Sequence, residues 1–265
     1  MHLTDTAVGD DAKKYASLSE KHLEEVLKES GELSDENAPL SDVFNGAMAK
    51  NNLANVVKLR TRFYKNRNRR MALLRKSINL RTSALEVFTA KDFPKEPAMV
   101  NQNLVSDYGR LVEKTLEQPE TSRPNLSLAF QHGMAAHDYY IENNMYWELF
   151  NVCLDLANFS MDTFRTGGRV TEDMLKVANG FLEAAEALVD VDKNPIYWAK
   201  IQVNRSAILF VEATTLNGDA RENTCREALS CVDQALAKLE NDIYGHAYQN
   251  ALLAKDNLLK MLESD

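Results

Sequence analysis

The feature that most constrains the fold is a period of about fifty residues in the positions of small side chains. One marker lies near the start of alternate predicted helices, and a second is a pair of small residues seven apart in each intervening helix. The first set is Ala47, Ala98, Glu148 in the missing place, Ala199 and Ala247; the second is Ser77/Ala84, Ala129/Ala136, Ala178/Ala185 and Ala228/Ala235. Because small residues seven apart share one helix face, they let a neighbouring helix approach closely. The repeated unit is therefore a hairpin of two helices.

Apolar residues recur at helical spacing between short polar segments that contain all six prolines. With 10 glycines in 265 residues, the chain also has too few turn-forming residues for an all-β fold. Ser41 and Thr171 are predicted N-caps, Pro195 is predicted to open a helix, and Gly31, Gly167 and Gly218 to end one. We predict about ten helices, at 11–30, 41–64, 68–90, 97–117, 124–143, 146–165, 171–190, 196–216, 221–240 and 246–263.

Short connections between these helices predict antiparallel neighbours, and stacking of the hairpins would bury one continuous core. We expect an all-α fold of stacked antiparallel helical hairpins in a single domain, 1–265. Residues 1–40 would form an N-terminal capping helix and linker, 41–240 four hairpins, and 241–265 a C-terminal capping helix.

The last third of the chain resembles the tetratricopeptide repeat (TPR) superfamily. The similar strings are NPIYWAKIQVNRSAILFVE and CREALSCVDQALAKLEND, in which Ala228 and Ala235 fall at the small positions of the family's second helix. The resemblance covers about 47–263 and implies a right-handed α-solenoid that binds other proteins, with longer helices or loops than the family's period of about 34 residues. A much weaker resemblance links Asp107-Tyr108-Gly109-Arg110 to the Asp-Tyr-x-Arg string of 14-3-3 proteins.

Charge is unevenly distributed along the chain. The net charge is −8, yet residues 43–85 contain no acidic residue and eleven basic ones. Such a segment would focus positive potential and predicts an anionic partner. The alternative is that it neutralises acidic residues of adjacent hairpins or of a second subunit. The basic residues are Lys50, Lys58, Arg60, Arg62, Lys65, Arg67, Arg69, Arg70, Arg75, Lys76 and Arg81.

The TPR resemblance implies that the first helix of each hairpin lines a concave channel. Amide and guanidinium groups there can bind a peptide backbone or a carboxylate. The alternative is that the asparagines pack helix against helix through side-chain hydrogen bonds. The candidate peptide- or anion-binding residues are Lys50, Asn52, Lys58, Arg62, Asn103, Arg110 and Asn204.

Other functional signals are weak. The sequence carries no catalytic, phosphate-binding or metal-binding motif, and we expect no enzyme and no cofactor. We expect Cys225 and Cys231 to be buried thiols, and Trp147 and Trp198 to fill the core. The chain has no apolar segment long enough for a membrane span, so a cytoplasmic location is expected.

These observations predict a non-catalytic scaffold that binds an acidic or extended peptide segment of a partner protein. Two alternatives stay open. The basic hairpin would bind RNA or single-stranded DNA, or the protein would be a dimerising regulator without an external ligand.

Overall fold

The computed structural model describes residues 6–31, 39–88, 92–166, 170–239 and 241–263, and every regular element within these ranges is helical. The prediction of an all-α fold is confirmed, and each of the ten predicted helices is present. A 3₁₀ turn, Thr61–Phe63, directly follows the second helix. The helices are α1 (Thr6–Gly31), α2 (Leu40–Arg60), α3 (Arg67–Val87), α4 (Glu96–Thr115), α5 (Pro119–Glu142), α6 (Tyr146–Arg165), α7 (Glu172–Glu186), α8 (Pro195–Ala213), α9 (Gly218–Lys238) and α10 (Asn241–Glu263).

Two helices begin where the sequence predicts, at Thr171 and Pro195. The Thr171 hydroxyl accepts a hydrogen bond from the Met174 backbone N–H at 3.2 Å, so it caps α7 as predicted. Pro195 is the first residue of α8, where its missing N–H costs no helical hydrogen bond.

Three local predictions are wrong. Leu40 already belongs to α2, so Ser41 lies inside the helix and is not its cap. Because α5 begins at Pro119, Pro124 lies in its second turn, where it removes one backbone hydrogen bond. Gly218 does adopt a left-handed conformation, with φ of 55°, but it opens α9 and does not end α8. Gly167 lies outside the described residues.

Sequential helices are antiparallel, as their contacts show. The Ser77 hydroxyl oxygen of α3 lies 3.0 Å from the Ala54 carbonyl oxygen of α2, and Lys50 Nζ of α2 donates to the Ser83 hydroxyl of α3 at 2.8 Å. Residue numbers therefore fall along α2 as they rise along α3. In the second half of the chain, Lys255 Nζ of α10 donates to Asp233 of α9 at 2.7 Å. The prediction of antiparallel hairpins is confirmed.

Within each unit, alternate helices lie side by side and point the same way. Lys58 Nζ of α2 donates to the Ser106 hydroxyl of α4 at 2.8 Å, and the Trp147 and Tyr197 rings of α6 and α8 lie 4.4 Å apart. These contacts join residues about fifty apart, which is the step of the sequence period. All eight residues of the seven-apart small pairs are fully buried: Ser77, Ala84, Ala129, Ala136, Ala178, Ala185, Ala228 and Ala235. The chain has a helical repeat fold.

The chain divides into two compact units, unit 1 (Met1–Ala136) and unit 2 (His137–Asp265), and the division falls within α5. The core of unit 1 includes Leu53, Leu74 and Leu104. One core cluster of unit 2 joins α9 to α10 through Val232 and Leu258. The single domain and the solenoid inferred from the sequence both concern the arrangement of the whole chain. They stay predictions.

All three cysteines are free. Cys225 and Cys231 are buried as predicted, and Cys153 is buried as well. Burial raises the pKa of the Cys153 thiol to about 11. None of the helices in the described ranges is both long and apolar enough to cross a membrane.

Candidate functional site

A buried carboxylate, Asp107 of α4, organises the polar interior of unit 1. Its Oδ2 accepts hydrogen bonds from the Ser77 hydroxyl at 2.5 Å and from Arg81 Nε at 2.9 Å. Lys58 Nζ of α2 lies 2.9 Å from its Oδ1. The side chains of Arg81 and Asp107 are both completely buried. One carboxylate therefore ties α2, α3 and α4 together.

Both terminal nitrogens of Arg81 also donate hydrogen bonds inside unit 1. Its guanidinium donates to the side-chain oxygen of Asn51 and, at 2.7 Å, to Oδ1 of Asn55. Asn103 Nδ2 on α4 donates to the same Asn51 oxygen at 3.5 Å. A buried guanidinium needs such partners because an unsatisfied donor would lose its hydration without compensation. Among the three asparagines of the candidate set, Asn103 thus packs helix against helix, as the alternative predicted.

Cations outnumber carboxylates in this network. Burial lowers the pKa of Lys58, the nearby Asp107 carboxylate raises it, and Arg110 and Arg81 lower it further. The Lys58 side chain is 14% exposed, and Arg110 is half-buried. The geometry therefore holds Lys58 against Asp107. The main role of the Lys58 side chain is to stabilise the packing of unit 1.

The structure gives the seven predicted site residues different surroundings within their units. In unit 1, Lys50, Lys58 and Asn103 are engaged in the internal contacts described above, and Arg110 lies close enough to Lys58 to affect its pKa. Asn52 and Arg62 are exposed. Asn204 belongs to unit 2, where it lines a different surface.

Part of the basic segment 43–85 is neutralised within unit 1. Arg60 and Lys76 pair with Glu20 of α1, and Arg67 lies 3.8 Å from Glu117. Together with Lys58 and Arg81, five of the eleven cations are in ion pairs. Four exposed cations form no ion pair with any residue in the described ranges: Arg62, Lys65, Arg69 and Arg75.

Unit 2 carries a groove across α6, α8 and α10 with a volume of about 550 Å³. Its floor is apolar and includes the buried Leu154, Ala199 and Leu239. Its polar lining consists of Asn151, Asp155, Asn158, Lys200, Asn204 and Asn250. One acidic and one basic residue give this lining no net charge, so amide groups dominate its chemistry.

Three of the amides have free hydrogen-bonding capacity. Asn158, Asn204 and Asn250 make no side-chain hydrogen bond to any residue of the chain that the structure describes, whereas Asn151 Nδ2 donates to the Trp147 carbonyl at 2.9 Å. Each free amide offers two donors and an acceptor. The groove can therefore bind the peptide groups of another chain above an apolar floor.

Aromatic residues lie at the α6 and α8 starts, beside the groove. The Trp147 ring is 4.4 Å from Tyr197 and stacks on Phe150 at 5.9 Å. Lys200, which lines the groove, has its Nζ 5.2 Å from the Tyr197 ring centroid. Trp147 is 50% exposed. The prediction that it fills the core is wrong because its ring packs on neighbouring aromatic rings at the helix ends and not beneath a helix.

The sequence contained a signal for the groove. Asn158, Asn204 and Asn250 follow one another at a step of 46 residues, close to the repeat period. The candidate set from the sequence groups Asn204 with Asn52 and Asn103 and does not include Asn158 or Asn250. Within the described ranges, no group of three or more His, Cys, Asp or Glu side chains is placed to hold a metal ion.

Comparison with protein-family models and with curated proteins finds no match. Among solved structures, the chain is similar to a de novo designed helical repeat protein. The two are 14% identical, 96% of each chain is covered, and the TM-score is 0.18. At this TM-score the similarity adds nothing to the helix contacts described above, and the fold class rests on those contacts.

Proposed function

We propose that this protein is a non-catalytic, TPR-like interaction protein whose groove on α6, α8 and α10 binds an extended segment of a partner protein. The observation that supports this proposal is the set of three free amides, Asn158, Asn204 and Asn250, above one apolar floor. An extended segment has unpaired backbone N–H and C=O groups that amide side chains satisfy. Its apolar side chains would cover Leu154 and Ala199. The three free thiols suit a reducing compartment, and we place the protein in the cytoplasm.

Selection from random peptides tests this function without knowledge of the partner. The full chain is immobilised and used to enrich displayed peptides of about twelve residues, and the affinity of each enriched peptide is then measured by fluorescence anisotropy. The variant Asn158→Ala/Asn204→Ala/Asn250→Ala removes the three amides. We expect it to bind at least about ten-fold more weakly, because several backbone hydrogen bonds of about 1 kcal/mol each are lost.

Asn223→Ala is the matched control, because Asn223 is exposed on α9 and does not line the groove. It should bind the enriched peptides as the unaltered chain does. Enriched peptides that bind equally well to the triple variant, or the absence of any enriched peptide, would contradict the proposal.

A second candidate function is binding of an acidic peptide by the exposed cations of unit 1. The observation in its favour is that Arg62 and Arg75 are exposed and have no acidic partner among the described residues. Reversal of both, Arg62→Glu/Arg75→Glu, should abolish retention of a labelled poly-glutamate peptide at low salt. Retention of a single-stranded oligonucleotide in place of the peptide, with a steep loss on adding salt, would favour the nucleic-acid alternative. A dimer in light scattering, with neither probe retained, would favour the regulator without an external ligand.

A further inference from the structure

The corner between α2 and α3 holds cations that converge on one tyrosine. Arg60 at the end of α2 and Arg69 in the first turn of α3 both donate to the Tyr64 hydroxyl oxygen, at 3.0 and 3.1 Å. Because both donating nitrogens contact the same oxygen, they lie at most about 6 Å apart. The guanidinium carbon of Arg69 is also 3.9 Å from the Tyr64 ring centroid. The tyrosine therefore holds two guanidinium groups close together.

Most cations of this corner have no acidic partner among the described residues. Arg62, Lys65 and Arg69 are exposed and form no ion pair with a described residue. The first turn of α3 contains Arg67, Arg69 and Arg70 and no acidic residue. Cations there oppose the helix dipole, which is positive at the N-terminus. Such a concentration of like charge lowers stability unless an anion is bound, and sequences break local rules in this way at functional sites.

Two residues of the corner keep donors that the described chain does not use. A tyrosine hydroxyl has two acceptor positions and one proton to donate. Arg60 and Arg69 occupy the acceptor positions, and no described residue accepts the Tyr64 proton. The guanidinium of Arg69 makes one hydrogen bond to a described residue, the one to Tyr64, which leaves its other N–H groups free.

The ionisation of Tyr64 reports the sign of the local potential. The hydrogen bond from Arg60 lowers the pKa of Tyr64, and burial raises it. The charges of Arg60, Arg69 and Lys13 lower it further. The potential at this hydroxyl is therefore positive, in agreement with the geometry of the corner.

A phosphate monoester fits this arrangement better than other anions. A carboxylate has two oxygens and one negative charge, whereas a phosphate monoester has three free oxygens and a charge of about −1.5 to −2 at pH 7. Three oxygens can accept from Arg60, Arg69 and the Tyr64 hydroxyl with one acceptor for each. A nucleic-acid strand carries its charges singly along a backbone and is bound by cations that follow it. Arg62, Lys65 and Arg69 instead lie together at one corner.

The exposure of the corner indicates how the phosphate is presented. Because Arg62, Lys65 and Arg69 are all exposed, the site is not an enclosed pocket of the kind that buries a small ligand. A phosphate on a side chain of another protein can reach such a surface. Arginine is the side chain best suited to bind it, because its planar group matches two phosphate oxygens at once.

We infer that the α2–α3 corner is a binding site for a phosphorylated side chain of a partner protein, with Arg60, Tyr64 and Arg69 around the phosphate and Arg62 and Lys65 adding charge. The inference goes beyond the proposed function. It concerns unit 1, and neither this site nor the groove of unit 2 depends on the other.

Fluorescence anisotropy of labelled peptides with the full chain tests the inference. The first probe is a capped, otherwise neutral peptide of about nine residues with one central phosphoserine. The second has serine in its place, and the third has two adjacent glutamates, which match the charge of the phosphate. We expect the phosphoserine probe to bind at least about ten-fold more tightly than either, because only the phosphate group has an acceptor for each of the three donors.

Arg69→Gln should weaken binding of the phosphoserine probe at least about ten-fold, because it removes a charged donor from the site. Tyr64→Phe should weaken it by a smaller factor, because it removes one neutral donor. Arg75→Gln is the matched control: it removes another exposed, unpaired cation of α3. Arg75 lies about 9 Å along the helix from Arg69, which is about the Debye length at physiological salt. Its loss should therefore leave binding nearly unchanged.

Equal binding of the phosphoserine and double-glutamate probes, both dependent on Arg69, would overturn the inference in favour of the acidic-peptide candidate. Tighter binding of a single-stranded oligonucleotide than of the phosphoserine probe would overturn it in favour of nucleic acid, and tighter binding of inorganic phosphate in favour of a free anion. It is also overturned if the phosphoserine probe does not bind, or if Arg75→Gln weakens binding as much as Arg69→Gln. The groove of unit 2 is tested separately by the enriched random peptides.

Discussion

Unit 1 and unit 2 use the same helical repeat, but their asparagines have different roles. In unit 1, Asn51 and Asn55 accept hydrogen bonds from Arg81, which is buried against Asp107. In unit 2, Asn204 and Asn250 have no side-chain partner within the described ranges and line an open groove. The asparagines of unit 1 hold helices together, whereas those of unit 2 are available to a ligand.

The buried residues at equivalent positions of the repeat also differ between the units. Arg81 lies four residues after the small residue Ser77, and the same position in unit 2 is occupied by Leu182 and Val232. Both are fully buried. Asp107 likewise corresponds, about fifty residues on, to the buried Ala157. Unit 2 therefore has no buried guanidinium at this position of the repeat.

The largest expected effect is on unit 1. Asp107→Ala leaves the buried Arg81 and the nearby Lys58 without their shared carboxylate, and we expect a loss of about 3–5 kcal/mol in the free energy of unfolding. Hydrogen exchange of unit 1 amides in a urea series measures it. A loss below about 1 kcal/mol would show that the network is not structural.

The double variant Arg81→Leu/Asp107→Ala sharpens the comparison, because it gives unit 1 the residues of unit 2. Replacement of a buried ion pair by apolar residues is often neutral or stabilising. We expect the double variant to recover at least half of the stability lost in Asp107→Ala, in the same urea series. If the losses caused by the two single substitutions simply add in the double variant, Arg81 and Asp107 do not stabilise unit 1 as a pair.

The helix faces that carry the small residues should respond alike to larger side chains in the two units. Ala84 and Ala185 are equivalent in the repeat and fully buried. Leucine at either position would force neighbouring helices apart, and we expect each substitution to cost about 1–3 kcal/mol, measured by urea denaturation. Tolerance of Ala84→Leu with a large loss for Ala185→Leu would break the equivalence of the repeats.

The units should also differ at alkaline pH, because the core of unit 2 contains the Cys153 thiol. Burial raises the pKa of Cys153 from 9.0 to about 11. Between these values the unfolded chain releases the thiol proton and the folded chain keeps it, so stability falls as pH rises, by at most about 1.4 kcal/mol per pH unit. Stability of the unaltered chain and of Cys153→Ala, compared from pH 8 to 11, isolates this contribution. Parallel curves would contradict it.

The smallest effect has the opposite sign. Asn158 is exposed on α6 and has no side-chain partner among the described residues, and alanine is the better helix former by about half a kcal/mol. We expect Asn158→Ala to raise stability by a few tenths of a kcal/mol in urea denaturation. Asn51→Ala in unit 1 should lower it by about 1–3 kcal/mol, since it leaves a donor of Arg81 unsatisfied. A loss of similar size for both variants would remove the distinction between the units.

The repeat period made much of the fold predictable, because it marks the residues that must be small wherever helices approach closely. The same period places Arg81 on the buried face between Ser77 and Ala84, so its burial was within reach of the sequence. The sequence analysis groups Arg81 with ten other cations of the basic segment and therefore does not identify it as buried. The exposure of Trp147 could not be predicted, since it depends on how the rings of Phe150 and Tyr197 pack at the helix ends.

The side-chain amide spectrum of the full chain tests the contrast between the units most directly. The chain is labelled with ¹⁵N, and the Nδ2 resonances of individual asparagines are assigned by substitution and followed as an enriched peptide is added. We predict that the resonances of Asn158, Asn204 and Asn250 shift, while those of Asn51 and Asn55 stay in place. Shifts confined to the unit 1 asparagines, with the groove resonances unchanged, would contradict the account.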